Sequence, residues 1–271
     1  MAFFRYPGGK AKLKTKIVDA LRGMKTGVEE YREPFFGGGV VGLEFLRDNP
    51  GITRAWFNDF DIGLAFLWTA VFTNHELLKK RIRTYTPKIE DFYAFKTELL
   101  AVDRRNLPTD VVDLGFKKLV IHQISYSGLG TKSGSPLGGR KQKSQYKIDC
   151  RWSPEHICEK IDKISAAGAT IDLRCTCRDF QSVVEDDSYR ALIYVDPPYY
   201  GKGGELYQHS FTDDDHERLA DVLGGTKHRW LLSYDDCPKI RKLYSWATIE
   251  MIDVNYTINS SRTKGEVLIR N

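Results

Sequence analysis

Asp196-Pro197-Pro198-Tyr199 packs a carboxylate, rigid carbonyls and an aromatic ring into four consecutive residues. Two prolines fix the backbone and remove two N–H donors. The Asp196 carboxylate and the Pro197 carbonyl can then converge on one exocyclic amine as hydrogen-bond acceptors. An aromatic amine is a poor nucleophile, because its lone pair is delocalised into the ring. Accepting both of its protons turns that pair outward, toward an electrophile. Orientation and charge stabilisation are what a protein can add to such a reaction. Pro198 keeps the turn rigid, and Tyr199 offers a face for stacking a planar base. The simpler reading of the quartet is an ordinary Pro-Pro turn.

Two further places carry chemistry only in combination. Glu33-Pro34-Phe35-Phe36-Gly37-Gly38-Gly39 ends in a glycine turn that lets a ligand approach the backbone closely. It is neither the G-x-G-x-x-G fingerprint nor a P-loop. A tight turn for helix packing is the competing explanation. Asp59 follows about twenty residues later, where an acid can accept hydrogen bonds from the ribose of an adenosine-type cofactor. Asp59 or Asp61 could equally cap a helix.

The elements around these residues alternate. Residues 30–35 and 55–58 read as strands, and residues 40–47 and 62–73 as helices. Residues 76–124 have helical spacing broken at Pro87 and Pro108, and a helix follows Ser153. Strands are expected at 170–174, 191–195, 230–233, 248–254 and 265–269. Helices are expected at 214–223, capped by Thr212 or Asp213, and at 237–244. The run 191–195 is continuously apolar, as in the middle of a parallel sheet. The three motifs then lie past the carboxyl ends of strands, where open α/β sheets hold ligands. The pattern predicts an α/β sheet domain from residues 1–74 and 170–271, with a mainly helical insert at 75–169.

Within the insert, residues 131–151 carry six basic side chains against one acid. Gly and Ser abound there, so a loop or hairpin is expected. It is either a solvated surface or a phosphate-contacting element that orders on nucleic acid. Tyr126, Leu129 and Tyr146 flank it and could wedge or stack against bases. The whole chain has 271 residues and a formal charge of +5, which permits a nucleic-acid partner without demanding one. No apolar run is long enough to span a membrane. The N-terminus has no apolar signal core, and five cysteines are an odd number for a disulfide scaffold. A reducing, cytoplasmic setting is expected, and Cys175-Thr176-Cys177 reads as free thiols. Asp213-Asp214-Asp215-His216 reads as a helix start. No metal is expected.

At these residues the chain resembles the Dam-type (D12 class) DNA adenine-N6 methyltransferases, which use S-adenosylmethionine. Phe4-Arg5-Tyr6-Pro7-Gly8-Gly9-Lys10 is similar to the family's N-terminal motif. The resemblance makes Tyr6 and Lys10 cofactor contacts. It makes Glu33, Pro34, Phe35, Gly37 and Gly39 the methionine-side loop and Asp59 the ribose acid. Asp179-Phe180 resembles the segment flanking the cofactor adenine, and Asp196 borders both ligands. His209 to Thr212, Leu231 to Tyr234, Asn259 to Arg262 and Glu266 to Leu268 resemble later motifs. The fold implied is a Rossmann-like methyltransferase sheet whose insert, with its basic hairpin, recognises double-stranded DNA.

The implied DNA contacts are Arg5, Tyr126, Ser127, Leu129, Thr131, Lys132, Arg140, Lys141 and Lys143. Members close to the GATC-methylating enzymes often carry Asn where Ser127 stands and Arg where Thr131 stands. Those departures set this chain apart from the GATC pattern and leave the chemistry untouched. The implied reaction is methyl transfer to N6 of an extruded adenine, in a bacterial or phage-infected cell. Its rivals are an RNA or small-molecule amine methyltransferase on the same fold and a silent DNA-binding regulator.

Overall fold

Five buried residues in a row, Ala-Leu-Ile-Tyr-Val, form the central strand at Ala191–Val195. Both of its faces are covered, so no alternation is needed. The computed structural model describes residues 3–201, 209–252 and 265–271. In chain order its elements are α1 (Lys14–Met24), β1 (Glu30–Glu33), α2 (Val40–Arg47), β2 (Arg54–Asn58) and α3 (Ile62–Thr73). Then come α4 (His75–Thr84), α5 (Ile89–Leu100), α6 (Val111–Ile124) and α7 (Pro154–Gly168). The chain returns with β3 (Asp172–Thr176), α8 (Phe180–Val184), β4 (Ala191–Val195), α9 (Asp213–Gly225) and β5 (Arg229–Asp235). It closes with α10 (Pro238–Leu243), β6 (Thr248–Ile252) and β7 (Glu266–Arg270).

The strands pair in the order β3-β2-β1-β4-β5-β7-β6. β3, β2, β1, β4 and β5 run parallel, while β7 is antiparallel to both neighbours. From β1 the chain moves outward to β2 and β3, then returns to place β4 on the other side of β1. The topological switch therefore lies between β1 and β4, and a crevice opens at their carboxyl ends. The glycine turn follows β1, and Asp196 follows β4.

α3 is buried nearly all round because it is sandwiched. One side covers the sheet and the other meets α6. A Cβ on Gly115 of α6 would lie 2.8 Å from the Leu67 Cα, so this glycine lets the two backbones close. Leu119, Ile121, Ile157 and Ile161 of α6 and α7 share one buried cluster with Tyr31, Phe57, Leu192 and Tyr194 of the sheet. The inserted helices thus complete the core on that face. A separate cluster around Phe180, Ile193, Leu219 and Trp230 fills the other.

α1 and α8 were not expected, although Ile17, Val18, Leu21 and Met24 form the buried stripe of α1. Thr212, rather than Asp213, caps α9 and forms a capping box with Asp215. The basic segment is a loop pinched by one antiparallel bridge, Ser125 to Pro136, rather than a strand ladder. Residues 253–254, expected to extend β6, lie outside the described residues. Among the described residues no helix is long and apolar enough to cross a membrane, and no His, Cys, Asp and Glu group could hold a metal.

Candidate active site

A cavity of about 460 Å³ occupies the crevice at the switch point. Its floor is the turn from β1 into α2. Gly37 and Gly39 stand at φ 48° and 67°, the left-handed region that glycine enters without a Cβ penalty. The Tyr6 ring lies against this turn, and a Cβ on Gly37 would come within 2.7 Å of its Cε1. The glycines therefore serve both the bend and the close approach of an aromatic ring. Trp68 Nε1 donates to the Gly37 carbonyl at 2.9 Å and pins the turn to α3.

The two acids after β2 divide the roles left open by the sequence. Asp61 caps α3, its Oδ1 accepting from Leu64 N at 3.1 Å, and its Oδ2 pairs with Lys118 of α6. Asp59 faces the cavity. Its Oδ2 accepts from Gly37 N at 2.8 Å and its Oδ1 from Asp61 N at 2.9 Å. Burial, and then the nearby Asp61 carboxylate, push Asp59 up to about 7. Burial also raises Asp61, but the Lys118 charge and hydrogen bond outweigh it and hold Asp61 below its ordinary range.

Glu33, at the end of β1, lies under the cavity and accepts from the Tyr31 hydroxyl at 2.5 Å. Burial pushes this carboxyl well above the usual range, and the Asp196 charge adds to the effect. Pro34 and Phe35 continue the wall. Phe35, Phe180 and Phe211 form a ring cluster with each centroid 5.6 Å from the other two. Arg218 caps it, its guanidinium 4.2 Å from the Phe180 centroid and bidentate on Asp179. An apolar, flat-walled corner thus faces a polar one across a single cavity. That division suits a nucleoside whose base is apolar-faced and whose sugar carries hydroxyls.

Asp196 closes the opposite wall. Its Oδ1 lies 2.8 Å from Lys10 Nζ and accepts from Ser233 Oγ at 2.9 Å. Ser233, on β5, is held in turn by the Tyr194 hydroxyl at 2.9 Å. Lys10 Nζ also stands 4.3 Å from the Tyr199 ring centroid, and the Tyr199 hydroxyl donates to Glu266 Oε2 at 2.7 Å. Pro198 lines the cavity, whereas Pro197 is buried behind it. Ser233 was not singled out as a site residue in the sequence, although the segment containing it was.

The expected DNA contacts separate into two groups. Arg5, Tyr126, Lys132, Arg140, Lys141 and Lys143 are exposed, and Ser127 and Leu129 are half-buried. Thr131 differs from the others: only 5 % of it is exposed. Arg5 joins the loop, because a Cβ on Gly128 would meet its Cγ at 3.0 Å. The segment Asn259 to Arg262 lies outside the described residues.

A family model described as D12 class N6 adenine-specific DNA methyltransferase matches residues 6–258. The chain belongs to that family. The resemblance carried by Tyr6, Asp59 and the Asp196 quartet is thereby borne out, and the enzyme is an adenine-specific DNA methyltransferase. The family implies S-adenosylmethionine as methyl donor and DNA as substrate. Among solved structures the chain is similar to an rRNA methyltransferase, aviRa, from Streptomyces viridochromogenes, at 13 % identity and a TM-score of 0.40. That alignment covers 98 % of this chain and 86 % of the other. No curated protein sequence gives a match.

Proposed function

We propose that this D12 enzyme transfers the methyl group of S-adenosylmethionine to N6 of an adenine swung out of duplex DNA. The observation that carries this reading is the Asp196 carboxylate, held by Lys10 and Ser233 on the wall of the cavity that also contains Asp59. The cavity fits the cofactor, since its volume falls within the usual range of roughly 300–1,000 Å³ for small-molecule sites. Asp59 would accept from the ribose hydroxyls. The turn at Gly37 to Gly39, with Glu33 and Tyr6, would hold the methionine end, and Phe35, Phe180 and Phe211 the adenine. S-adenosylmethionine supplies an electrophilic methyl on a sulfonium, so the protein need not generate one.

The chain's own part is to orient the amine. Asp196 and the Pro197 carbonyl accept the two N6 protons, which directs the lone pair toward the methyl. Tyr199 fixes the plane of the base. Lys10 and Ser233 keep the carboxylate from rotating, so its geometry is set before the substrate arrives. Duplex stacking hides N6, and extruding the base costs on the order of a few kcal/mol. The insert at 75–169 supplies that energy through phosphate contacts of its basic loop. Tyr126, 61 % exposed at the start of that loop, is the wedge.

Incorporation of tritiated methyl into unmethylated duplex DNA, single-stranded DNA and RNA tests the proposal. Duplex DNA is expected to be labelled at adenine N6, with Asp196→Ala reducing incorporation by at least about 10²-fold. Preferred labelling of RNA, or full labelling by Asp196→Ala, overturns it.

A further inference from the structure

Lys118 is a lysine in the middle of an apolar helix, and 2 % of it is exposed. It reaches out of the insert, from α6, to the cofactor side of the molecule. Its ammonium pairs with Asp61 Oδ2, and its stem passes over Gly63, where a Cβ would lie 2.8 Å from the Lys118 Cδ. Asp61 in turn donates its backbone N–H to Asp59 Oδ1 at 2.9 Å. A buried ion pair is weak support for stability, because apolar residues of similar size do as well. The charge here stands one residue contact away from the acid that faces the cavity, which points to a role in binding.

We infer that Lys118 is a positioning residue for the cofactor: by holding Asp61 it fixes the Asp59 carboxylate at the cavity and keeps it an acceptor. The inference rests on the reading of Asp59 as the ribose acid. Without the lysine, the buried Asp61 charge loses its counter-ion and faces Asp59 directly. The other titratable groups at this corner do not replace it. His122, one turn further along α6, is kept neutral by burial and then by Lys118, which push it down to about 3. His209, Arg178 and Asp179 line the cavity beyond, and burial, first of all, keeps His209 low. Lys118 therefore belongs to the DNA-recognition insert in sequence and to the cofactor site in function.

The test is the pH dependence of kcat/KM for S-adenosylmethionine in Lys118→Met and in Lys118→Met/Asp61→Asn. Asn retains the helix cap. In the single variant the acid limb is expected to move alkaline by about one pH unit, with kcat at saturating cofactor within roughly twofold. In the double variant both charges are gone, and the limb returns to the wild-type position or below it. A wild-type limb in the single variant, with only Tm lowered, overturns the inference. So does a double variant whose limb lies above wild type, which suffices if the single variant does not fold. Asp59→Asn separates the two layers. An unchanged cofactor KM there refutes the ribose reading itself, while a raised KM beside an unmoved Lys118→Met limb refutes only the role of Lys118.

Discussion

Lys10 Nζ lies 2.8 Å from Asp196 Oδ1 and 4.3 Å from the centre of the Tyr199 ring, with 5 % of its side chain exposed. One buried ammonium thus contacts both the proposed acceptor and the proposed stacking face of the same motif. Ser233 also donates to Oδ1. With both protein donors on one oxygen, Oδ2 is the natural acceptor for a substrate amine.

Lys10→Met removes a charged hydrogen bond worth about 1.5–3 kcal/mol in comparable settings. If that energy is realised in the transition state, the methylation rate falls roughly 10–100-fold. Single-turnover kinetics at saturating cofactor measure it, because they report chemistry without product release. A rate within about twofold of wild type means that Ser233 alone suffices to hold Asp196.

Asp59 makes a paired prediction about pH. Its ordinary value is 3.8, and burial, then the Asp61 charge, push it up to about 7 in the folded protein. The folded state therefore keeps a proton that the unfolded chain releases near pH 4. The contribution of this carboxyl to stability is fully present below about pH 4 and is lost as pH rises through about 7. Ribose hydroxyls need the ionised acceptor, so cofactor binding has the opposite slope. The rise in Tm caused by saturating S-adenosylmethionine is expected to be larger at pH 8 than at pH 6. Equal rises at the two pH values remove Asp59 from the cofactor contacts.

Ser127 stands at φ 55° and ψ 8°, a conformation that Gly and Asn enter far more readily than Ser. The pattern in relatives of the GATC-methylating enzymes, with Asn here, has a backbone explanation that requires no base contact. Ser127→Asn is expected to stabilise the protein by about 0.5–1 kcal/mol, raising Tm by roughly 1–3 °C. Ser127→Val, branched at Cβ, is expected to lower it. Calorimetry of both variants decides, and a lower Tm for Asn means that the serine hydroxyl contributes more than the strain costs.

Much of the catalytic corner was legible because its residues are adjacent in sequence. Asp196 to Tyr199 and Gly37 to Gly39 announce themselves by type and spacing. The strand before Asp196 is short and apolar, whereas β1 before the glycines, Glu-Tyr-Arg-Glu, buries charged residues that pattern alone does not mark as core. α1 was legible in principle, through Ile17, Val18, Leu21 and Met24, but lysines on its exposed face masked the stripe. Strand order was not legible, since periodicity records which faces are buried and not which neighbour pairs. Lys118 was not legible either. Lys118 follows Lys117, a pair that reads as solvent-facing in a helix, and its partner Asp61 lies 57 residues away. The burial of Thr131 was not legible for a related reason: position in a motif does not say how exposed a small side chain is.

Lys141 and Lys143 sit on the exposed side of the basic loop, and neither lines the cavity. If each neutralises one phosphate, each releases one condensed counter-ion on binding, worth about 0.9 in the slope of log K against log salt. Lys141→Ala/Lys143→Ala is then expected to reduce that slope by roughly 1.8. Affinity should fall by a similar factor for every duplex sequence, because phosphates carry no sequence information. Cofactor affinity should not change. Fluorescence anisotropy of labelled duplexes across a potassium chloride series reads all three quantities. An unchanged slope takes this stretch of the loop off the DNA path, and a loss confined to one sequence makes these lysines base readers instead.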